Sequence, residues 1–239
     1  MKFILNFILS VIDYNHKKKI LKFLKYSLPT EPISIIDVGA HHGETLKLFI
    51  KNFNIKQLIC YEASEDNFLE LKNLINNLKK KINIKIFNKA IGDTKRVVTF
   101  NQTSETSSST FSKINFNSNY FKRKYSILKF FFNKKYISKS YDLELNTLKD
   151  EINLHKLEYV NLLKIDTEGF EFEIIKGLQD NLGKIKFIYF EHHFDQMIVK
   201  NYTLRDINQF LKKSGFEKIF KIKMPFRKTF EYIYVNKRN

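Results

Sequence analysis

The sequence contains few of the residues that commonly cross-link, kink or loosen a protein chain. Its 239 residues include one cysteine, three prolines, seven glycines and no tryptophan. A single cysteine excludes an intramolecular disulfide, so the fold must depend on its core. The length suffices for one sizeable domain, and 24 phenylalanines within a 43% hydrophobic composition supply large core side chains. We therefore expect one globular domain without disulfide cross-links.

Acidic residues are also scarce, with 25 of them against 42 lysines and arginines, which gives a net charge of +17. A basic surface can bind nucleic acid, anionic lipid or an acidic glycan. Arginine contacts phosphates and bases better than lysine does, yet it occurs only five times, whereas lysines lie in nearly every segment. We interpret the charge as lysines on solvated faces and do not predict a nucleic-acid partner.

The N-terminal residues 1–28 are predicted to form an amphipathic helix. Their apolar run, residues 1–12, lacks the small-residue cleavage site of a signal peptide. It is also shorter than the roughly 20 apolar residues that span a bilayer. We predict a helical segment, residues 1–30, packed on a domain of residues 31–239, in a cytoplasmic protein. A peripheral contact of residues 1–28 with the inner face of the membrane is the alternative.

A strand, a glycine turn and the start of a helix follow one another in residues 33–45. The strand is short, apolar and β-branched, as buried strands are. It carries Asp37 and is followed by Gly39 and Gly43, which let a ligand approach the backbone. The turn matches neither the G-x-G-x-x-G fingerprint nor a phosphate-binding loop. This pattern favours a cationic nucleoside without phosphate, of which S-adenosylmethionine is the common one.

A second acid strengthens this interpretation. Glu62 ends the next predicted strand, residues 57–62, and lies 19 residues after Gly43. That position is close to where a doubly wound fold places the carboxylate that binds the ribose hydroxyls. We therefore predict that Glu62 contacts the ribose of the cofactor.

Predicted strands and helices alternate along the remaining chain. The predictions include a helix at 65–80, a strand at 82–87, a turn at 88–93, a strand at 97–100, a helix at 171–181, and two closing strands at 216–222 and 230–235. The closing pair is expected to be antiparallel. Such alternation predicts an α/β fold with a doubly wound sheet.

Residues 102–135 interrupt this alternation. A run of serine and threonine is followed by phenylalanines and tyrosines interleaved with lysines. A connection of this length inside a compact domain is usually functional or disordered. We predict an insertion that forms a lid and bears the acceptor site, with a surface insertion of no function as the alternative.

Several polar residues follow the predicted strands at the edge where ligands of such sheets bind, beyond the carboxyl ends of the strands. Besides Asp37 and Glu62, this edge carries Asp166, Glu168, Glu191, His192 and His193. Carboxylates and imidazoles together suit the abstraction of a proton from a hydroxyl group. We therefore predict a catalytic protein rather than a binding module.

The chain resembles the FkbM family of S-adenosylmethionine-dependent methyltransferases over about residues 33–236. The matching segments are Asp37–Thr45, Glu62, Asn88-x-Ala90-x-Gly92-Asp93, Lys164–Glu171 and Glu191-x-His193. The resemblance implies a Rossmann-like, mostly parallel, seven-stranded sheet with an antiparallel last strand. It also implies O-methyl transfer from S-adenosylmethionine to a hydroxyl of a sugar, glycolipid or related small molecule.

The same resemblance implies a role for each matched residue. The cofactor side comprises Asp37, Gly39, His41 and Gly43 around the pocket, Glu62 at the ribose, and Asn88 and Asp93 near the adenine. The catalytic side comprises Asp166 and Glu168 between donor and acceptor, and Glu191 and His193 beside the acceptor. The family usually has asparagine where this chain has His41. A neutral imidazole replaces one amide hydrogen bond but not both, so cofactor affinity or its pH dependence is expected to differ.

We expect in-line methyl transfer with help from a general base, either His193 or Glu168. No metal is predicted to take part. The alternative is a divalent cation held by Asp166, Glu168, Glu191 and His193, because hard oxygen ligands and one imidazole suit such an ion.

Rival functions differ in the residues they require. Enzymes that methylate amino groups of nucleic acids need an Asn/Asp-Pro-Pro-aromatic turn, and no two prolines are adjacent here. Methylation at C5 of a base needs a nucleophilic cysteine, whereas Cys60 lies inside a predicted strand. A ribose-directed RNA methyltransferase stays open, as does a non-catalytic cofactor-binding or scaffold protein in a glycan-assembly complex. The sequence predicts neither the acceptor nor the oligomeric state.

Overall fold

The structure is a computed structural model that describes residues 2–78, 82–104, 106–132 and 136–239, with side chains described for all of these except 2–14, 124 and 127–132. The helices are α1 (Lys2–Ser27), α2 (Glu44–Asn52), α3 (Glu65–Asn76), α4 (Asn119–Phe132), α5 (Leu148–Leu154), α6 (Glu171–Lys176) and α7 (Leu204–Lys213). The strands are β1 (Ile33–Val38), β2 (Ile55–Glu62), β3 (Ile84–Asn88), β4 (Ala90–Gly92), β5 (Val97–Thr103), β6 (Lys113–Ile114), β7 (Ile137–Thr147), β8 (Val160–Ile165), β9 (Ile185–His193), β10 (Ile198–Val199), β11 (Phe216–Lys223) and β12 (Thr229–Asn236).

Seven strands form the main sheet in the order β11-β12-β9-β8-β1-β2-β3. The pairs from β9 to β3 are parallel, and β12 runs antiparallel to both β9 and β11. The predicted α/β fold with a mostly parallel seven-stranded sheet, an antiparallel last strand and an N-terminal helix is therefore confirmed. Strand order reverses at β1, which pairs with β2 on one side and β8 on the other. In doubly wound sheets, ligands bind in the crevice at such a reversal.

Both faces of the sheet are covered, which explains why β1 is buried at every residue. On one face, Ile33 and Ile35 pack with the core residues of α1, α2 and α3. On the other face, Ile36 and Val38 pack with those of α5, α6 and α7. Alternate side chains of β1 thus contact two different helical layers, one on each face of the sheet.

Helix α1 lies against the sheet through Ile20, Leu24 and Leu28, all of which are buried. Its outer face carries exposed lysines at positions 17, 18, 19, 22 and 25. Among the described residues, no helix combines the length and the apolar character that a membrane-spanning segment requires. Where its side chains are described, in residues 15–27, the helix therefore directs apolar residues to the protein and lysines to solvent.

Two predicted elements differ from those observed. The turn predicted at 88–93 contains β4, which pairs in parallel with β7. The helix predicted at 171–181 ends at Lys176 and continues as a 3₁₀ segment, Gln179–Lys184. Gly177 follows this end and packs against β4, where a Cβ would lie 2.0 Å from the carbonyl oxygen of Gly92.

The predicted insertion has more regular structure than its sequence suggested. Strand β5 continues to Thr103 and pairs with β7, and a 3₁₀ turn follows at Thr106–Ser108. The aromatic side chains Phe121 and Tyr136 form a small core with Met197 and Ile198. The second half of the insertion thus packs on the loop that follows β9.

Candidate active site

A cavity of about 380 Å³ opens at the carboxyl ends of β1, β2, β8 and β9. Its wall also includes residues from α1, from the Ser/Thr-rich segment after β5, and from β12 and the loop before it. The polar members of the wall include His16, Lys17, His41, Glu44, Glu62, Asn67, Lys89, Thr106, Lys164, Asp166, Glu168, Glu191, Arg227 and Glu231. The position matches the crevice that the strand order predicts.

The first turn follows β1 with an unusual backbone. Gly39 has φ +81°, and a Cβ at this position would lie 2.0 Å from the carbonyl oxygen of Asp166. His41 has φ +49°, and its backbone N–H donates to Oε2 of Glu62 at 2.8 Å. The turn is therefore fixed by two neighbouring strand ends, β8 through Asp166 and β2 through Glu62.

Glu62 is buried in the wall of the cavity and is held in place by three donors. Oε2 accepts the N–H of His41, while Oε1 accepts the N–H of Ser64 at 2.9 Å and the amide of Asn67 at 3.5 Å. Burial raises the pKa of the Glu62 carboxyl, against the lowering effect of these donors. A carboxylate oxygen has two lone pairs, so Oε2 can accept one further hydrogen bond from the cavity side, whereas both lone pairs of Oε1 are already used.

Asp37 does not reach the cavity, because its side chain is fully buried beneath the turn. Nζ of Lys164 bridges Asp37 and Asp166, at 3.2 Å from each carboxylate. Burial raises the pKa of Asp37, while Lys164 opposes this shift. Burial also disfavours the charge on Lys164, but Asp37 and Asp166 together raise the pKa of its ammonium group. Asp37 therefore acts on the cavity through Lys164, a wall residue that the sequence pattern alone did not indicate.

Three other predicted cofactor residues lie outside the cavity wall. Gly43 has φ +84° at the start of α2, where a Cβ would meet the side chains of Leu71 and Leu74. The amide of Asn88 donates to the carbonyl oxygens of Glu62 and Ala63, and Asp93 pairs with Arg96. These residues shape the turns around the cavity rather than its surface.

The predicted catalytic residues come together at the opposite end of the cavity. His193 directs Nε2 towards Oε2 of Glu168 at 2.9 Å and Oε1 of Glu191 at 3.2 Å. Its Nδ1 lies 3.3 Å from Oδ2 of Asp195 and 3.2 Å from Oγ1 of Thr229. Glu168 and Glu191 line the cavity with Asp166, whereas His193 is not part of its wall.

Charge and burial compete in this cluster. Burial lowers the pKa of His193, but Glu168, Asp195 and Glu191 overcome this effect and hold it well above its ordinary value. Burial raises the pKa of Glu191 to about 7, despite the opposing charge of His193. The carboxylates around His193 therefore favour its charged form.

His192, next in the chain, points away from this cluster. It is buried and lies 3.9 Å from Glu171, on the far side of the loop after β8. Glu171 also accepts hydrogen bonds from the N–H of Gly169 and from the hydroxyl of Tyr202. These contacts fix the start of α6.

Several wall residues come from segments whose sequence gave no sign of a link with the site. Glu231 of β12 lies opposite Glu191 in the strand register, accepts a hydrogen bond from Tyr189 and pairs with His16 of α1. Thr229 of β12 lies opposite His193. Asp195, two residues after His193, was the one acid of this group that sequence proximity could have indicated.

The Ser/Thr-rich segment contacts both ends of the cavity. The hydroxyl of Thr106 lies 2.8 Å from Nε2 of His41, and the hydroxyl of Thr110 donates to the carbonyl oxygen of Glu168 at 2.7 Å. Phe111 also belongs to the wall. The first half of the predicted lid thus forms part of the pocket itself.

Comparisons with known proteins agree with this architecture. The model of the methyltransferase FkbM domain matches residues 37–218. The structure of M. capricolum TrmK in complex with the natural cofactor product S-adenosyl-homocysteine aligns with a TM-score of 0.52 at 8% identity, covering 91% of this chain and 67% of that one. Magnesium protoporphyrin IX methyltransferase (ChlM) from Synechocystis PCC 6803, with bound SAM, aligns with a TM-score of 0.49 at 9% identity. This alignment covers 95% of the present chain and 79% of the ChlM chain. A search of curated protein sequences found no significant match.

Proposed function

Because the chain belongs to the FkbM methyltransferase family, we propose that it is an S-adenosylmethionine-dependent O-methyltransferase acting on a hydroxyl of a sugar, glycolipid or related small molecule. When bound, S-adenosylmethionine supplies a methyl group that its sulfonium has already activated. The protein must then bind this cofactor, orient the acceptor oxygen and remove its proton. The cavity contains residues suited to each of these tasks.

The observation that carries the proposal is the carboxylate of Glu62, fixed by backbone donors and facing the cavity. Its remaining lone pair, on Oε2, suits a ribose hydroxyl, and a ribose contact is the role of the acid at this position in doubly wound folds. Gly39, which also lines the cavity, lets the turn pack against the backbone of Asp166. The residues present therefore fit the expected cofactor.

His41 fits this pocket as well. Its imidazole contacts the hydroxyl of Thr106 and the carboxylate of Glu44, and its N–H holds Glu62. The replacement of the usual asparagine therefore leaves the turn with a complete set of local contacts. We accordingly propose an active enzyme in preference to a scaffold protein.

The acceptor hydroxyl would meet a wall of carboxylates at the other end of the cavity. Asp166, Glu168 and Glu191 face this space, and Tyr189 lies beside them. One of these three carboxylates takes the hydroxyl proton in the proposed reaction. His193 was predicted as a base, but its position behind the two glutamates suits it better to hold them in place.

Calorimetric titration with S-adenosylhomocysteine tests this function. The intact protein should bind it saturably, and Glu62→Gln should weaken binding roughly 10- to 100-fold, as expected for a lost hydrogen bond to a charged group. The matched control is Glu158→Gln, because Glu158 is exposed and is not part of the cavity wall. Absence of binding by the intact, folded protein would overturn the proposal and favour the scaffold.

The acceptor can then be sought with isotopically labelled methyl donor and panels of hydroxylated glycans, glycolipids and RNA. Transfer to a glycan or glycolipid hydroxyl is expected. Transfer to RNA ribose alone would replace the proposed acceptor while leaving the methyltransferase assignment intact. The cytoplasmic location and the peripheral membrane contact of residues 1–28 stay predictions, and the basic outer face of α1 supports a test with anionic vesicles.

A further inference from the structure

Three side chains converge at the edge of the cavity with the geometry of a ligand set. One atom from each of Glu168, Glu191 and His193 lies within 4.8 Å of the other two. The contributing elements are different: Glu168 comes from the loop after β8, and the other two come from β9. Two of the three groups belong to the cavity wall, so the point of convergence is next to the proposed acceptor space.

The burial and contacts of His193 distinguish this group of side chains from a cluster of acids. Its side chain is only 7% exposed. Nε2 lies at ion-pair distance from both glutamates, but neither Nε2 nor Oε1 of Glu191 has a well-aligned hydrogen bond with a described residue. The two buried atoms therefore face a common point and are compensated only by the charges of this cluster, and incomplete compensation of buried polar atoms is costly.

The other ring nitrogen of His193 is held from behind. Asp195 and Thr229 contact Nδ1, and the second oxygen of Asp195 accepts the N–H of Met197 at 2.9 Å. Metal-binding histidines commonly donate their second N–H to a carboxylate, which fixes the ring and directs the free nitrogen to the ion. The arrangement around His193 has this form.

We propose that Glu168, Glu191 and His193 bind a divalent cation. Two carboxylates and one imidazole suit Mn²⁺ best, and Mg²⁺ next, because hard oxygen ligands predominate. Asp166 acts on Glu191 through its charge and adds to the negative potential on the cavity side. A divalent cation would offset the charges of the two glutamates and would coordinate both Nε2 of His193 and Oε1 of Glu191.

The use of this ion in catalysis rests on the proposed function, whereas its binding does not. Three protein ligands leave coordination positions open towards the cavity, where an acceptor hydroxyl can bind. The cation polarises the hydroxyl oxygen and makes its proton more acidic. Asp166 is then the wall carboxylate that is not a ligand, and it accepts this proton. The proposal thus assigns separate roles to the carboxylates of the cluster.

Titration of the chelator-stripped protein with Mn²⁺, followed by the electron paramagnetic resonance of free Mn²⁺, tests the site. One equivalent should bind, and Glu191→Gln should weaken binding at least 10-fold. The matched control is Glu44→Gln, because His41, His42 and Glu44 form the other described group whose atoms approach closely enough to hold an ion. Binding that is lost in Glu44→Gln and kept in Glu191→Gln would overturn the assignment.

A second variant and a second ligand keep the test decisive. Glu168→Gln should reproduce the loss, and circular dichroism of each variant checks its fold. No saturable Mn²⁺ binding by the intact, folded protein would overturn the ion site. Titration with S-adenosylhomocysteine, performed without metal, separates the two proposals: binding of the nucleoside without Mn²⁺ binding refutes only the ion site, and the reverse result refutes only the proposed function.

Discussion

Gly39 and Asp166 approach each other so closely that no side chain can stand between them. A Cβ at position 39 would lie 2.0 Å from the carbonyl oxygen of Asp166. This contact joins the loops after β1 and β8, the two strands at which the sheet order reverses. The glycine of the turn is thus required by the packing of the protein on itself, independently of any ligand.

Gly39→Ala should therefore destabilise the fold. The variant combines a backbone conformation at φ +81° that costs L-residues roughly 1–2 kcal/mol with a clash against a backbone atom, so we expect a total loss of at least about 2 kcal/mol. Urea unfolding measures it. Gly183→Ala is the control, since a Cβ at position 183 would meet nothing within 4 Å. Equal stability of the two variants would contradict the argument.

Lys164→Met should cost about 3–5 kcal/mol, the usual result of removing one partner from a buried ion pair. Asp37 would lose its countercharge, and its Oδ2 already lacks a hydrogen-bond partner among the described residues. Lys47→Met, on the exposed face of α2, is the matched control. Adding Asp37→Asn to Lys164→Met should recover part of the loss. If the double variant were less stable than Lys164→Met, the buried charge would not be the cause.

The stability contributed by Glu44 should depend on pH. Burial raises the pKa of this carboxyl, but hydrogen bonds from His41 and from its own backbone N–H, with the charges of His41 and His42, lower it to about 2 from 4.5. A lowered folded-state pKa means that the contribution is fully present above pH 4.5 and is lost as the pH falls towards 2. Chemical unfolding at about pH 6 and about pH 3.5, on either side of the ordinary carboxyl pKa, measures this change.

Glu44→Gln provides the comparison, because it removes the titration and keeps the size of the side chain. The difference in unfolding free energy between the intact protein and Glu44→Gln should shrink from the higher of these pH values to the lower. Glu44 is half exposed, so solvent screening keeps the effect modest. A difference that stays constant over this range would refute the lowered pKa.

The local parts of the fold were predictable from the sequence. The β1–turn–α2–β2 unit was recognisable because apolar periodicity and two glycines determine it within one short stretch of chain. Helix α7 is equally local, because its capping box lies within four residues, with both hydrogen bonds between Thr203 and Asp206. Strand β4 was missed because three residues carry no periodicity, and its pairing partner β7 lies far along the chain.

The candidate site likewise contains residues that the sequence predicted and residues that it did not. The acids at the ends of β2, β8 and β9 were found because parallel strands bring their carboxyl ends to one edge. Thr229 and Glu231 were not found, because only the register of β12 on β9 places them opposite His193 and Glu191. His16 depends in turn on how α1 crosses the sheet. Such long-range pairings leave no pattern in the segments that make them.

The place of β12 has a consequence for the way the protein is made. This strand inserts between β9 and β11 and delivers Thr229 and Glu231 to the site. A nascent chain whose residue 229 is still inside the ribosome has an open β9 edge, flanked by finished hydrophobic layers and available for pairing with other chains. Closure of the sheet and delivery of Thr229 and Glu231 to this end of the cavity therefore coincide. A chain that ends before residue 229 would lack both residues and would expose the β9 edge.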